Sequence, residues 1–153
     1  MKDSEMLLLR VREWLDQSQL KATKIEDPQN HFHFVVSETN LPSVEILHQK
    51  PESEFLLFVA RIIPPEEMQR KILDLVPENR RRLFFEIRLR LLSVGVEFAV
   101  VGAETQVPSA YELYLRLFFD GSNINDFWQM YVRMKSACII IITLYQNFLG
   151  EIH

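Results

Sequence analysis

The stretch that most constrains the fold runs from Tyr111 to Phe148. Up to Phe119 the side chains alternate, with Tyr111, Leu113, Leu115, Leu117 and Phe119 on one side and Glu112, Tyr114, Arg116 and Phe118 on the other. A period of two belongs to a strand with one buried face. Asp120-Gly121 then turns the chain. Beyond it Phe127, Tyr131, Met134, Cys138, Ile141, Tyr145 and Phe148 recur at spacings of four and three. These spacings draw one apolar stripe along about seven turns of helix. Each element has a single face to bury, so the long C-terminal helix is expected to pack on the sheet.

Upstream, Asp3 or Ser4 can cap a first helix whose apolar stripe is Leu7, Leu8, Val11, Trp14 and Leu15. Residues 21–30 end in Asp27-Pro28-Gln29-Asn30, a turn signal. Three strands follow. His31–Val36 places Phe32, Phe34 and Val36 on one face, and Val44–Gln49 does the same with Val44 and Ile46. Residues 37–42 form the connecting loop. Phe55–Ile62 is apolar on both faces, which predicts an interior strand covered on two sides. Pro64-Pro65 ends it, because proline lacks the ladder donor. A short helix over Glu66–Leu75 breaks at Pro77, and a second spans Glu78–Ser93, with Gly95 as its exit. Val96, Phe98 and Val100 open a fourth strand. The predicted architecture is α+β, an antiparallel sheet of about five strands in the order α-βββ-α(α)-ββ-α.

A chain of 153 residues is expected to be one domain, residues 1–153, large enough for a core without metal or disulfides. A formal net charge of −4 gives no global attraction to nucleic acid or anionic membranes. Its one cysteine, Cys138, cannot form an intramolecular disulfide. Leu7-Leu8-Leu9 is too short for a secretory core, and the apolar run Ala137–Ile142 falls far below the roughly 20 residues of a membrane span. These features lead to the expectation of a soluble, cytoplasmic protein.

The element order, with the stretches Phe55–Pro65, Pro77–Val101 and Tyr114-Leu115-Arg116-Leu117-Phe118-Phe119-Asp120-Gly121 leading into the last helix, resembles the type III secretion chaperone-like fold. Within that group it is similar to an archaeal family of uncharacterised proteins. The resemblance implies a homodimer. Related members bind other polypeptides, whereas the family itself has no activity to transfer, so no catalytic, cofactor or metal residue is assigned from it.

The residues themselves point the same way. Matching the apolar faces of the first hairpin pairs Phe34 with Ile46 and Val36 with Val44, positions that sum to 80, and puts His48 opposite Phe32 on the inner face. His31 and His33 are then expected to point outward, and two histidines cannot close a structural zinc site. Cys138 falls mid-helix in the apolar stripe, the setting of an inert thiol. Asp120-Gly121-Ser122 has one glycine and no lysine, so it reads as a turn with Ser122 or Asn123 capping the helix, not as a phosphate loop. No acid/base pair, nucleophile or cofactor loop is visible; the chain is not expected to be an enzyme, and no cofactor or metal is implied.

The helix over residues 78–93 is more informative. Five arginines against two glutamates give its 78–90 segment a charge of +3. Glu78 with Arg82 and Glu86 with Arg90 have the favourable i,i+4 order, which leaves Arg80, Arg81 and Arg88 as candidate anion contacts. A solvated, salt-bridged face is preferred over nucleic-acid binding, because no aromatic is interleaved on a polar face for base stacking. Leu83, Phe84, Ile87, Leu91 and Val94 share one face, while Phe85, Leu89 and Leu92 make a second stripe at i, i+4, i+7. The second stripe either packs on a neighbouring helix within the monomer or forms a dimer or partner interface, and the resemblance favours the interface. The expected function is non-catalytic protein binding or chaperone-like scaffolding. Nucleic-acid association through the arginine-bearing helix 78–93 is the alternative, and an enzyme of unknown class ranks third.

Overall fold

A computed structural model describes residues 3–102 and 107–150. Helix α1 (Asp3–Gln17) leads into strands β1 (Ala22–Lys24), β2 (Phe32–Val36), β3 (Val44–His48) and β4 (Phe55–Ile62). Helices α2 (Glu66–Asp74) and α3 (Pro77–Ser93), strands β5 (Glu97–Val101) and β6 (Ala110–Phe118), and helix α4 (Ile124–Leu149) complete the order. The sheet runs β1-β2-β3-β4-β6-β5 and every pairing is antiparallel. The fold is α+β with the long terminal helix packed on the sheet.

Among the described residues six strands are present where about five were expected. The additional one, β1, is a three-residue edge strand pairing Ala22 with Val36 and Lys24 with Phe34. Only Ala22 is even half-buried, so no alternating pattern marks it in the sequence. Asp3 and Ser4, expected as caps, lie within α1, and the position before them is outside the described residues.

The β2–β3 register pairs Phe32 with His48, Phe34 with Ile46 and Val36 with Val44. It is the register that matching the apolar faces requires. Strand β6 buries Tyr111, Leu113, Leu115 and Leu117 and turns Glu112, Tyr114 and Arg116 outward. Strand β4 is interior, between β3 and β6, but it is not covered on two sides. Leu56, Phe58, Ala60 and Ile62 are buried, whereas Phe55, Leu57 and Val59 stay half-exposed on the outer face. The helices contribute their buried residues to the cluster on the inner face, so the apolar second face of β4 reflects its strand propensity more than burial.

Helix α4 lays Phe127, Tyr131, Met134, Cys138, Ile141 and Tyr145 into that core. Its start is fixed by a capping box. Asn123 accepts hydrogen bonds from the backbone N–H groups of Asn125 and Asp126, and the Asp126 carboxylate accepts from the Asn123 N–H. Gly121 takes φ 75°, the left-handed conformation that the turn into this helix needs. Among the described residues, no helix is long and apolar enough to cross a membrane.

Candidate functional site

Helix α3 starts where Pro77 occupies its first turn after an extended Val76, and it ends at Ser93 with Val94 as its cap before Gly95 at φ 73°. Glu78 in its first turn and Arg90 in its last complement the helix dipole. Leu83, Ile87 and Leu91 are buried, facing the core beside α4 and β5. Among the described residues nothing covers the second stripe: Phe85 is 63% exposed, Leu89 49% and Leu92 67%. Packing of this stripe inside the monomer, one of the two sequence expectations, is thereby overturned. The sequence shows two stripes, but which neighbour reaches the second is a tertiary matter.

The arginines divide by environment. Arg82 sets its guanidinium over the Phe148 ring of α4, 5.7 Å from the centroid. Arg90 pairs with Glu86 at 3.7 Å, the expected i,i+4 contact. Arg80 is half-buried, while Arg81 and Arg88 are exposed beside the apolar stripe. Arg81, Arg82, Phe84, Phe85 and Arg88 line a shallow hollow of about 570 Å³. Large apolar side chains contiguous on one face and rimmed by charge are the pattern of a contact surface. On α4, Trp128, Val132 and Ile139 are exposed as well, but Lys135 interrupts that row, its ammonium 2.6 Å from the Glu38 carboxylate.

The histidines show one further correction. His48 is fully buried on the inner face, and His33 sits on the outer face between Asp27 at 3.1 Å and Glu45 at 2.8 Å. His31, expected to point outward, instead brings its Nδ1 to 2.7 Å from the Nδ1 of His48. It precedes the first residue of β2, so strand alternation does not fix its side chain. Among the described residues, no three His, Cys, Asp or Glu side chains converge on a point that could hold a metal ion. The His33 nitrogens point to opposite carboxylates and hold them apart.

Burial pushes the Cys138 thiol up to about 11, away from the thiolate that a nucleophile requires. Tyr111 and Tyr145 share a buried hydrogen bond of 2.8 Å, and burial raises both phenols, Tyr145 to about 12. Neither is poised for acid/base work near neutrality. The Asn123–Asp126 box already satisfies the α4 N-terminus that Asp120-Gly121-Ser122 leads into. A cleft of about 410 Å³ bordered by Ile62, Pro64, Met68, Ile141 and Tyr145 escaped the sequence reading, since it forms where β4, α2 and α4 meet. The proline pair after β4 is the only sequence signal near it.

With this geometry in view, the family model for the uncharacterized conserved protein DUF2299 matches residues 7–145. The chain belongs to the DUF2299 family. No curated protein matches it. Among solved structures it is similar to an uncharacterized protein from Methanothermobacter thermautotrophicus, with a TM-score of 0.83 at 22% identity over 96% of this chain and 99% of that one. It is also similar to YbjN, a putative transcription regulator from E. coli, with a TM-score of 0.52 at 16% identity, covering 92% and 90% of the two chains. At these identities the likeness of the DUF2299 chain to both is one of fold. The heterodimeric complex ExoU-SpcU of the Pseudomonas aeruginosa type III secretion system matches with a TM-score of 0.48 at 14% identity, covering 86% of this chain and 94% of that one, a likeness too distant to bear on function.

Proposed function

We propose that this DUF2299 protein is a non-catalytic protein-binding scaffold that meets its partner through the outward face of α3. The observation that carries this reading is the exposure of Phe85, Leu89 and Leu92 together on one side of a helix whose other side buries Leu83, Ile87 and Leu91. Leaving three large apolar side chains in water forgoes the burial energy they would gain at an interface, about 1.5–3 kcal/mol each when fully covered. The homodimer expected from the sequence resemblance is one form of this reading, with a second copy of the chain as partner. Chaperone-like scaffolding in the cytoplasm is the setting it suits.

Nucleic-acid association has the arginines in its favour, but Arg82 is stacked on Phe148 and Arg90 is paired with Glu86. A phosphate backbone also offers nothing apolar to the stripe of Phe85, Leu89 and Leu92. The test is the size of the protein at native abundance in extracts of its host, measured by sizing with light scattering. Wild type should run as a complex larger than the monomer. The Phe85→Glu/Leu89→Glu variant should run as a monomer with an unchanged melting temperature. A monomeric wild type, or a complex indifferent to the substitutions, would sink the reading.

A further inference from the structure

The outward side of α3 asks two things of a partner at once. At 100° per residue, Phe85, Leu89 and Leu92 fall within about 60° of one another. Arg81 and Arg88 border them on one flank, and Arg82 lies on the other. The hollow beside Phe85 is lined by three guanidinium-bearing residues, Arg81, Arg82 and Arg88, on a chain whose total charge is −4. This local reversal of sign lies at the Phe85 end of the exposed apolar stripe.

We infer that the α3 face takes an acidic, apolar-anchored segment of a different polypeptide. Large apolar side chains of that segment lie along Phe85, Leu89 and Leu92, and its Asp or Glu residues meet Arg81 and Arg88. The inference rests on the protein-binding reading above and narrows it. Arginine suits this role because its planar fork takes a carboxylate with two parallel hydrogen bonds.

A second copy of the chain matches the stripe but not the charge. When two α3 helices pack antiparallel about the middle of the stripe, flanking positions face their own kind, so Arg88 lies beside the Arg88 of the other copy. Neither glutamate of the helix offsets this. Glu86 is already paired with Arg90 at 3.7 Å, and Glu78 falls opposite the far end of the partner helix, beyond Ser93. Like charges brought together at a contact act against that pairing. A nucleic acid matches the charge but leaves Leu89 and Leu92 against phosphate and sugar. An acidic amphipathic segment matches both.

The test uses the purified full chain and three synthetic amphipathic peptides. They share one leucine stripe at i, i+4, i+7 and carry Glu, Gln or Lys at the flanking positions. Affinity is read by calorimetry and location by amide chemical shifts. The Glu peptide should bind about tenfold more tightly than the Gln peptide at low salt, with the Lys peptide weakest and the gap narrowing as salt is added. Arg81→Gln/Arg88→Gln should bring the Glu peptide down to the Gln level, and Phe85→Ser/Leu89→Ser should abolish binding of all three with the melting temperature kept. Equal affinity for all three peptides at α3 overturns the acidic partner but leaves the protein-binding reading intact. So does a wild-type dimer that covers α3 and excludes the peptides. If no peptide shifts the α3 amides and the chain does not self-associate, both fall. Binding of a single-stranded RNA at α3, steeply salt-dependent and lost in the arginine variant, also overturns both.

Discussion

The Nδ1 atoms of His31 and His48 lie 2.7 Å apart where β2 meets β3. Their proton arrangement follows from a second contact, because the Nε2 of His48 is 3.0 Å from the Ser53 carbonyl oxygen. A carbonyl only accepts, so His48 carries its proton on Nε2 and, when neutral, accepts at Nδ1 from the Nδ1–H of His31. A second proton on His48 would set two N–H groups head to head at a site enclosed by Phe32 and Phe119.

Stability should therefore fall in mildly acidic solution. Burial is the main cause that lowers the His48 pKa from 6.5, with the charge of His31 acting the same way against the Ser53 bond and Glu52. The unfolded chain then binds more protons than the folded one just below 6.5, so stability is full above that value and is lost as pH falls through the depressed His48 value. Urea unfolding at pH 7.5 and 5.5 should show the loss, and His48→Leu should remove it. A flat profile in the wild type would refute the buried pair. Glu38 is held below the ordinary carboxylate value by Lys135 and then Tyr131, and Asp27 by Asn30 and then the Gln29 backbone. Their contributions are present above ordinary carboxylate values and are lost only at lower pH, which separates the two windows.

The Tyr111–Tyr145 hydrogen bond joins β6 to α4 inside the core. Tyr145→Phe leaves the Tyr111 hydroxyl without this partner and should cost about 1–3 kcal/mol. The double variant Tyr111→Phe/Tyr145→Phe should recover part of that loss, since no orphaned hydroxyl remains. Urea midpoints at unchanged slope measure both. Additive losses would show that the bond is not a coupled pair.

Helix α4 should be indispensable to the fold. Phe127, Tyr131, Met134, Ile141 and Tyr145 are buried, and at about 1.5–3 kcal/mol each they contribute on the order of 10 kcal/mol gross. That gross figure, which the entropy cost of ordering the helix reduces, rivals the roughly 5–15 kcal/mol that stabilises a whole domain. Truncation before Asn123 should give insoluble or molten material by circular dichroism. A soluble truncated chain that unfolds cooperatively would mean that the core lies elsewhere.

What the sequence made legible was whatever repeats along one element. The β6 alternation, the α4 stripe and the β2–β3 register all follow from period and facing alone, and each appears in the structure. What it hid depends on neighbours. β1 is too short and too exposed for a period to show. His31 lies outside the strand, so its alternation does not aim the side chain. The outer face of β4 is apolar in Leu57 and Val59 yet both stay half-exposed. The α3 face was half legible: two stripes could be read from residues 83–94, but only the arrangement of α3 on α4 shows that Phe85, Leu89 and Leu92 are the pair's uncovered side.

An α3 contact face is tested most directly by a photo-crosslinking residue placed at Leu89 in the native host, with a control at exposed Glu13 on α1. The products are mapped by mass spectrometry and the identified pair is then rebuilt from purified components. Position 89 should give crosslinks to one defined polypeptide segment and position 13 none to it, and Phe85→Glu should abolish them. Crosslinks from position 89 to nucleic acid, or none from it while position 13 reacts, would contradict a protein-binding role for this helix.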